Sequence, residues 1–174
     1  MTQLLDEIVN SIKNTVSDNS IGVAFSGGVD STLIAKLLHD NGYQIHLLTI
    51  GFPDSHDINF AKEVNEILKF KHDILEIDLD SFQEITQKVN NIIKTENLSW
   101  NENSIAFYYV SKLAKKLGIS TVVTANGIDE LFCGYNAYRE AIGIGVDHVM
   151  DVMNQKLDNE KKMMIAVNNV TSLF

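Results

Sequence analysis

The sequence predicts an α/β fold of three layers, a parallel sheet covered by helices on both faces and followed by C-terminal helices. Three observations carry that reading. Four short apolar runs, Ile21 to Phe25, Gln44 to Ile50, His72 to Ile77 and Thr121 to Thr124, alternate with segments of helical period, which is the pattern of right-handed βαβ crossovers. The first run leads directly into Ser26-Gly27-Gly28-Val29-Asp30-Ser31, a glycine turn between a strand and a helix. From Gly134 onward strand signals cease. At 174 residues and 45% apolar content the chain fits one domain, with residues 1–135 as core and 136–174 as a helical segment.

The elements follow in order. Leu5, Ile8, Ile12 and Val16 recur at helical spacing, so about the first seventeen residues form an amphipathic helix that Asp18-Asn19-Ser20 breaks. Ile21 to Phe25 contains Gly22 and alternates poorly, as a strand buried on both faces does. The segment after Ser31 is helical until Asn41-Gly42 stops it. Gly51-Phe52-Pro53 turns the second strand into a helix with Ser55 as cap and Ile58, Ala61, Val64, Asn65 and Leu68 as its stripe. After the third strand, Asp78 to Thr95 reads as a helix, Glu96 to Trp100 as a loop, and Asn103 to Leu117 as a second helix ended by Gly118. Val146, Val149, Met150, Met153 and Leu157 share one helical face and Met163, Val167 and Val170 another, which predicts two terminal helices. Their methionines suit core packing or an oligomer contact.

Composition narrows the function. Fourteen basic against twenty-three acidic residues give a net charge of -9, which disfavours a nucleic-acid substrate. Cys133 is the single cysteine, so no internal disulfide framework or CxxC site exists in this sequence, and the five histidines show no metal spacing. No apolar run is long enough to span a bilayer and the first residues lack a basic, then apolar, leader, so a soluble cytoplasmic protein is expected, without a membrane partner.

The glycine turn lies where a parallel sheet binds ligands, beyond the carboxyl end of the first strand. Gly27 and Gly28 let backbone N–H groups approach an anion, the following helix adds its N-terminal N–H groups, and Ser26, Ser31 and Thr32 add hydroxyls. The lysine of GxxxxGK[ST] is missing, so the cradle of P-loop NTPases is not indicated. Asp30 would repel phosphate unless a cation intervenes, and Mg2+ is the natural mediator. Asp129-Glu130 follow the fourth strand, at the sheet edge beside the first, so Asp30 and Asp129 are candidate ligands of one Mg2+. Asp129 and Glu130 are alternatively helix N-terminal charges that complement the dipole.

The SGGxDS loop resembles that of the ATP pyrophosphatase (PP-loop) family, and within it the chain is similar to the synthetase domain of asparagine synthetases. The resemblance covers about residues 5 to 140. Gly51-Phe52-Pro53-Asp54-Ser55-His56-Asp57, the helix ending near Ser111-Lys112, and Gly127-Ile128-Asp129-Glu130-Leu131-Phe132-Cys133-Gly134-Tyr135, close to G-x-DELFGGY, carry it. It implies the Rossmann-like fold of adenine nucleotide alpha hydrolases, with ATP and Mg2+ as cofactors. By position, Ser26, Gly27, Gly28, Asp30, Ser31, Thr32 and Gly127 would serve the phosphates, Asp30 and Asp129 the Mg2+, and Ala24, Ile50, Thr124 and Ala125 the adenine and ribose. It further implies a small carboxylate or amino acid activated as an acyl-adenylate and captured by ammonia or another amine.

Three departures from the family pattern bear on the product. Where asparagine synthetases read S-G-E-G-x-D-E, with a glutamate thought to assist acid-base steps, this chain has Asn126, which cannot titrate. The later V-R-x-P-F-L-D segment, with its phosphate-neutralising lysine, and the N-terminal glutaminase domain are not in this sequence, so a complementing subunit, a second copy or a downstream gene product is expected to supply what is missing. Cys133 stands where the pattern has glycine, and reads as a packed small residue. Arg139, the single arginine, either reaches a phosphate or substrate carboxylate or is a solvated helix charge. A tRNA- or nucleobase-modifying PP-loop enzyme and a non-catalytic ATP-binding subunit of a split synthetase are the competing functions.

Overall fold

The computed structural model describes residues 2–174; the side chains of Thr2, Gln3 and Leu5 lie outside the described residues, and with them the Leu5 position of the first helical stripe. The elements run α1 (Thr2–Thr15), β1 (Ser20–Ala24), α2 (Val29–Asp40), β2 (Gln44–Gly51), α3 (His56–Leu68), β3 (Lys71–Glu76), α4 (Leu79–Ile93), α5 (Leu98–Lys116), β4 (Val122–Val123), α6 (Ile128–Leu131), α7 (Asn136–Ile144) and α8 (Val146–Thr171). The four strands form one parallel sheet in the order β3-β2-β1-β4. The expected α/β architecture is therefore borne out, with β1 in the interior because Ile21 and Val23 are fully buried.

The chain leaves β1 toward β2 on one side and returns to β4 on the other, so the switch in direction falls between β1 and β4. One core layer packs Ile21, Val23, Ala35, Leu38 and Leu47 together, with Ile12 and Val16 partly buried against it. On the opposite face Leu48 packs with Val110, Leu113 and Ala114 of α5. The carboxylate of Asp18, ahead of β1, accepts hydrogen bonds from the Ser120 and Thr121 hydroxyls ahead of β4, which lower its pKa and tie the two strand entries together.

Two expectations are corrected. The stretch Glu96 to Trp100 is only partly a loop, because Asn97 Oδ1 accepts from the Trp100 N–H at 3.2 Å and so caps a helix that begins at Leu98. The C-terminus holds one 26-residue helix, α8, where two were expected. Its polar middle, Asp158 to Lys162, interrupts the apolar stripe but contains neither glycine nor proline, and nothing breaks the backbone there. Packing completes the helix: Met163 and Val167 meet Phe107, and Val170 meets Tyr108 and Tyr109. The short helix α7, ended by Gly145 at φ 149°, carried no sequence signal that we read.

Between β2 and β3 lies a polar layer in which His46 pairs with Asp73, and Thr49 Oγ1 lies 2.8 Å from His72 Nε2. Burial lowers the pKa of His72, an effect that Asp73 opposes and that His46 and Lys62 reinforce. Below about pH 6.5 the unfolded chain takes up a proton here that the folded chain does not, so stability falls as pH drops toward the lower folded value. Urea midpoints should decrease from pH 7.5 to 5.5, and His72→Gln should flatten that slope; an unchanged slope would refute the assignment.

Candidate functional site

A crevice of about 520 Å³ opens beyond the carboxyl ends of β1, β2 and β4, where an open parallel sheet receives its ligands. Ala24, Ser26, Gly28, Asp30, Ser31, Ile50, Thr124, Ala125, Asn126, Gly127 and Asp129 all line it. The structure thus brings together eleven of the residues singled out in the sequence. Gly27, Thr32 and Arg139 are not among the lining residues.

The loop from Ser26 to Ser31 is held by its own hydroxyls and by α3. Ser31 Oγ donates to the Gly28 carbonyl at 3.2 Å and lies 3.3 Å from Ser26 Oγ, which accepts from the Gly28 N–H at 3.3 Å. Gly27, at φ +78°, is buried under α3, where a Cβ would lie 3.1 Å from both Ala61 Cα and Phe60 Cδ1. Its role is close packing of the turn. Thr32 Oγ1 turns back to the Gly27 carbonyl at 3.3 Å, so its hydroxyl braces the loop and does not face the crevice as expected. The N-terminus of α2 has no side-chain cap, and Gly28, Val29, Asp30 and Ser31 at its start line the crevice.

The opposite wall is acidic. Asp129 lies in the short helix α6, and its pKa is raised by desolvation, then by Asp30, then by Glu130. Asp30 and Asp129 are therefore near enough to repel. Glu130 is 4% exposed, accepting from the Tyr135 hydroxyl at 2.6 Å, while the Tyr138 hydroxyl donates to its carbonyl at 2.6 Å. Burial and then that Glu130 contact hold the Tyr135 hydroxyl protonated, and Lys156 Nζ lies 4.8 Å from the Tyr135 ring centre.

Glu160, on α8, also lines the crevice and accepts from Asn126 Nδ2 at 3.0 Å. Burial raises its pKa, the Asn126 hydrogen bond opposes the rise, and Glu130 adds to it. The sequence reading missed this residue. The available signal was a carboxylate between Leu157 and Met163, on the stripe that faces the rest of the protein.

Cys133, half-buried, has φ +61°, which explains why a glycine is at home at this position of the motif. Gly134 answers to close approach: a Cβ there would lie 1.9 Å from Asp129 Oδ1. Gly134→Ala must rotate the Asp129 carboxylate away, and activity that needs it should fall about 10²-fold while the thermal midpoint stays near that of the parent. Activity within threefold of the parent would show that Asp129 tolerates displacement. Arg139 is exposed on α7 and is not among the residues that line the crevice.

Among the described residues, the crevice lining has five carboxylates, Asp30, Asp57, Asp129, Glu130 and Glu160, and no Lys, Arg or His. Among the described residues no three His, Cys, Asp or Glu converge on a metal site. That donor set fits Mg2+, which takes one or two carboxylates and completes its shell with phosphate oxygens and water. The mutual repulsion of Asp30 and Asp129 is what such an ion would relieve.

Fold and loop together define an α/β domain of Rossmann-like type with an SGGVDS turn at the carboxyl end of β1. The family model for asparagine synthase matches residues 2–167, and the chain belongs to that family. The rice protein asparagine synthetase [glutamine-hydrolyzing] 2 (Oryza sativa subsp. japonica) is 29% identical over 140 residues, covering 75% of this chain and 24% of its own length. The chain thus spans about a quarter of the curated relatives it matches. Among solved structures, the NH3-dependent NAD synthetase of Campylobacter jejuni aligns with TM-score 0.50 and 22% identity, over 78% of this chain and 58% of its own. The NMN synthetase of Francisella tularensis aligns with TM-score 0.52 and 18% identity, over 77% and 56%. These two share the fold.

Proposed function

We propose that this chain is the ATP-activating part of an amide ligase that forms AMP and pyrophosphate, passing through an acyl-adenylate. The observation that carries the reading is the meeting, in one crevice at the β1–β4 switch point, of the SGGVDS loop and the Asp129-Glu130 pair. Its membership of the asparagine synthase family supports the same reading.

In this reading the Gly28 region, the Ser26 and Ser31 hydroxyls and the N-terminus of α2 receive the β- and γ-phosphates. Asp30 and Asp129 would hold Mg2+. Bound there, the ion would supply positive charge to the departing pyrophosphate in a crevice otherwise lined by acids. Ala24, Ile50, Thr124 and Ala125 form the wall against adenine and ribose. Asn126 cannot accept a proton, but its amide holds Glu160 at 3.0 Å, and Glu160 receives the proton that the attacking ammonia or amine must lose. A small carboxylate or amino acid is the acyl substrate. Among the described residues neither Arg139 nor any other cation lines the crevice, so cationic groups from a complementing polypeptide or a second copy of the chain would balance the phosphates.

The test is exchange of labelled pyrophosphate into ATP across a panel of carboxylates and amino acids, with Mg2+, and with any copurifying polypeptide added back. Substrate-dependent exchange that is lost in Asp30→Ala supports the reading. Binding of Mg·ATP with no exchange under any combination would replace it with a non-catalytic nucleotide-binding subunit. Salt-sensitive tRNA binding would replace it with a nucleic-acid-modifying enzyme.

A further inference from the structure

The carbonyl of Phe25 and the N–H of Ser26 belong to one planar peptide unit, and this unit is the entrance to the anion loop. Its N–H side faces the loop interior, with Ser31 Oγ at 3.4 Å. Its carbonyl side accepts a hydrogen bond from Thr49 Oγ1 at 2.6 Å. Thr49 sits in β2, is 2% exposed and lines the floor of the crevice. A single residue buried under the loop therefore fixes the plane in which the Ser26 N–H points.

Thr49 has one hydroxyl proton and two neighbours, the Phe25 carbonyl at 2.6 Å and His72 Nε2 at 2.8 Å. A carbonyl and a hydroxyl oxygen at 2.6 Å need a proton between them, so the Thr49 proton goes to Phe25. His72 Nε2 must then carry a hydrogen and donate it to Thr49. The result is a directed chain, His72 Nε2–H to Thr49 O–H to Phe25 C=O, in which each bond polarises the next. The Phe25 ring adds a second restraint, meeting the His72 ring edge-on at 5.7 Å and 88°. Asp73, His46 and Lys62 are the charged or titratable groups that act on the imidazole. A second proton would enter at Nδ1 and leave the Nε2–H bond in place.

We propose that Thr49 and His72 are positioning residues that orient the Phe25–Ser26 peptide and thereby set the affinity of the loop for the pyrophosphate moiety of the nucleotide. The inference rests on the reading of this loop as the pyrophosphate site. It assigns a role to two residues that act through the Phe25–Ser26 peptide. Burial keeps the imidazole neutral near pH 7, which suits a donor at Nε2 and a free lone pair at Nδ1.

The test compares binding of Mg·pyrophosphate and of adenosine by calorimetry in the parent chain, Thr49→Val, Thr49→Ser, His72→Gln and His72→Phe, with stability measured in parallel. Thr49→Val and His72→Phe should weaken Mg·pyrophosphate binding about tenfold and leave adenosine affinity unchanged. Thr49→Ser keeps the hydroxyl and His72→Gln keeps an N–H donor, so both should restore binding to within about threefold. A purely structural role would lower the unfolding midpoint of all four variants without separating the two ligands. Equal pyrophosphate affinity in parent and Thr49→Val overturns the inference alone. If Thr49→Val does not fold, failure of His72→Phe to separate the ligands overturns it. Failure of the parent to bind Mg·pyrophosphate overturns both the inference and the functional reading beneath it.

Discussion

Asp129→Asn should abolish pyrophosphate exchange, by at least about 10³-fold, and should at the same time make the ligand-free protein more stable. Loss of activity follows from removing one of the two carboxylates proposed to hold Mg2+, in a crevice lined by no Lys, Arg or His among the described residues. The gain in stability follows from the sign of the pKa shift. Desolvation, Asp30 and Glu130 all raise the Asp129 pKa, so the ionised side chain is disfavoured in the folded state relative to the unfolded one. That penalty is absent well below the unfolded value, near pH 3.9, and fully present once pH exceeds the raised folded value. Asparagine removes it. The thermal midpoint of the variant should therefore exceed that of the parent at pH 7 and converge with it near pH 3. The parent alone should gain stability on addition of Mg·ATP. A variant less stable than the parent at pH 7 would show that Asp129 is held by attractive contacts, and would remove the argument for a shared cation.

The strands were legible because each is an apolar run set between helical periods, and the loop because glycine next to an acid at a strand end has few other uses. The place of β4 beside β1 followed from the switch-point rule, and the structure brings Asp129 and Asp30 to one crevice. The helical end was legible only in part. Local period finds an apolar stripe, but continuity through Asp158 to Lys162 depends on packing of Met163 and Val167 against Phe107, a contact 56 residues away for Met163 and invisible to local pattern. Failure to join those two stripes also hid Glu160, which lies between them. Thr32 illustrates a different limit. Its type and place match a phosphate donor, yet its hydroxyl serves the Gly27 carbonyl, because a turn with glycine at φ +78° leaves a carbonyl within reach of the first helical turn. Arg139, open in the sequence between an anion ligand and a solvated helix charge, is exposed on α7 and is not among the residues that line the crevice.

Glu160→Gln separates activation from amide formation, and its expected effect is the second largest. In the proposed reaction the carboxylate of the substrate attacks the α-phosphate before any amine is needed, and that step relies on the loop, Asp30 and Asp129. The amine then loses a proton as the carbon–nitrogen bond forms and AMP departs. Position 126 offers an amide with no basicity, and of the crevice acids Glu160 is the one held by that amide. Its raised pKa, caused first by burial, makes it a stronger base than an exposed glutamate. Glutamine keeps the shape and can still pair with Asn126, but accepts no proton. Amide product should fall by about 10² to 10⁴-fold, with pyrophosphate exchange kept within a few-fold of the parent. Product formation by the parent should decline as pH falls toward the raised pKa of Glu160, whereas the residual activity of the variant should not follow that limb. Parallel loss of exchange and product would instead make Glu160 part of the nucleotide site, and unchanged product would mean that the proton leaves by another route.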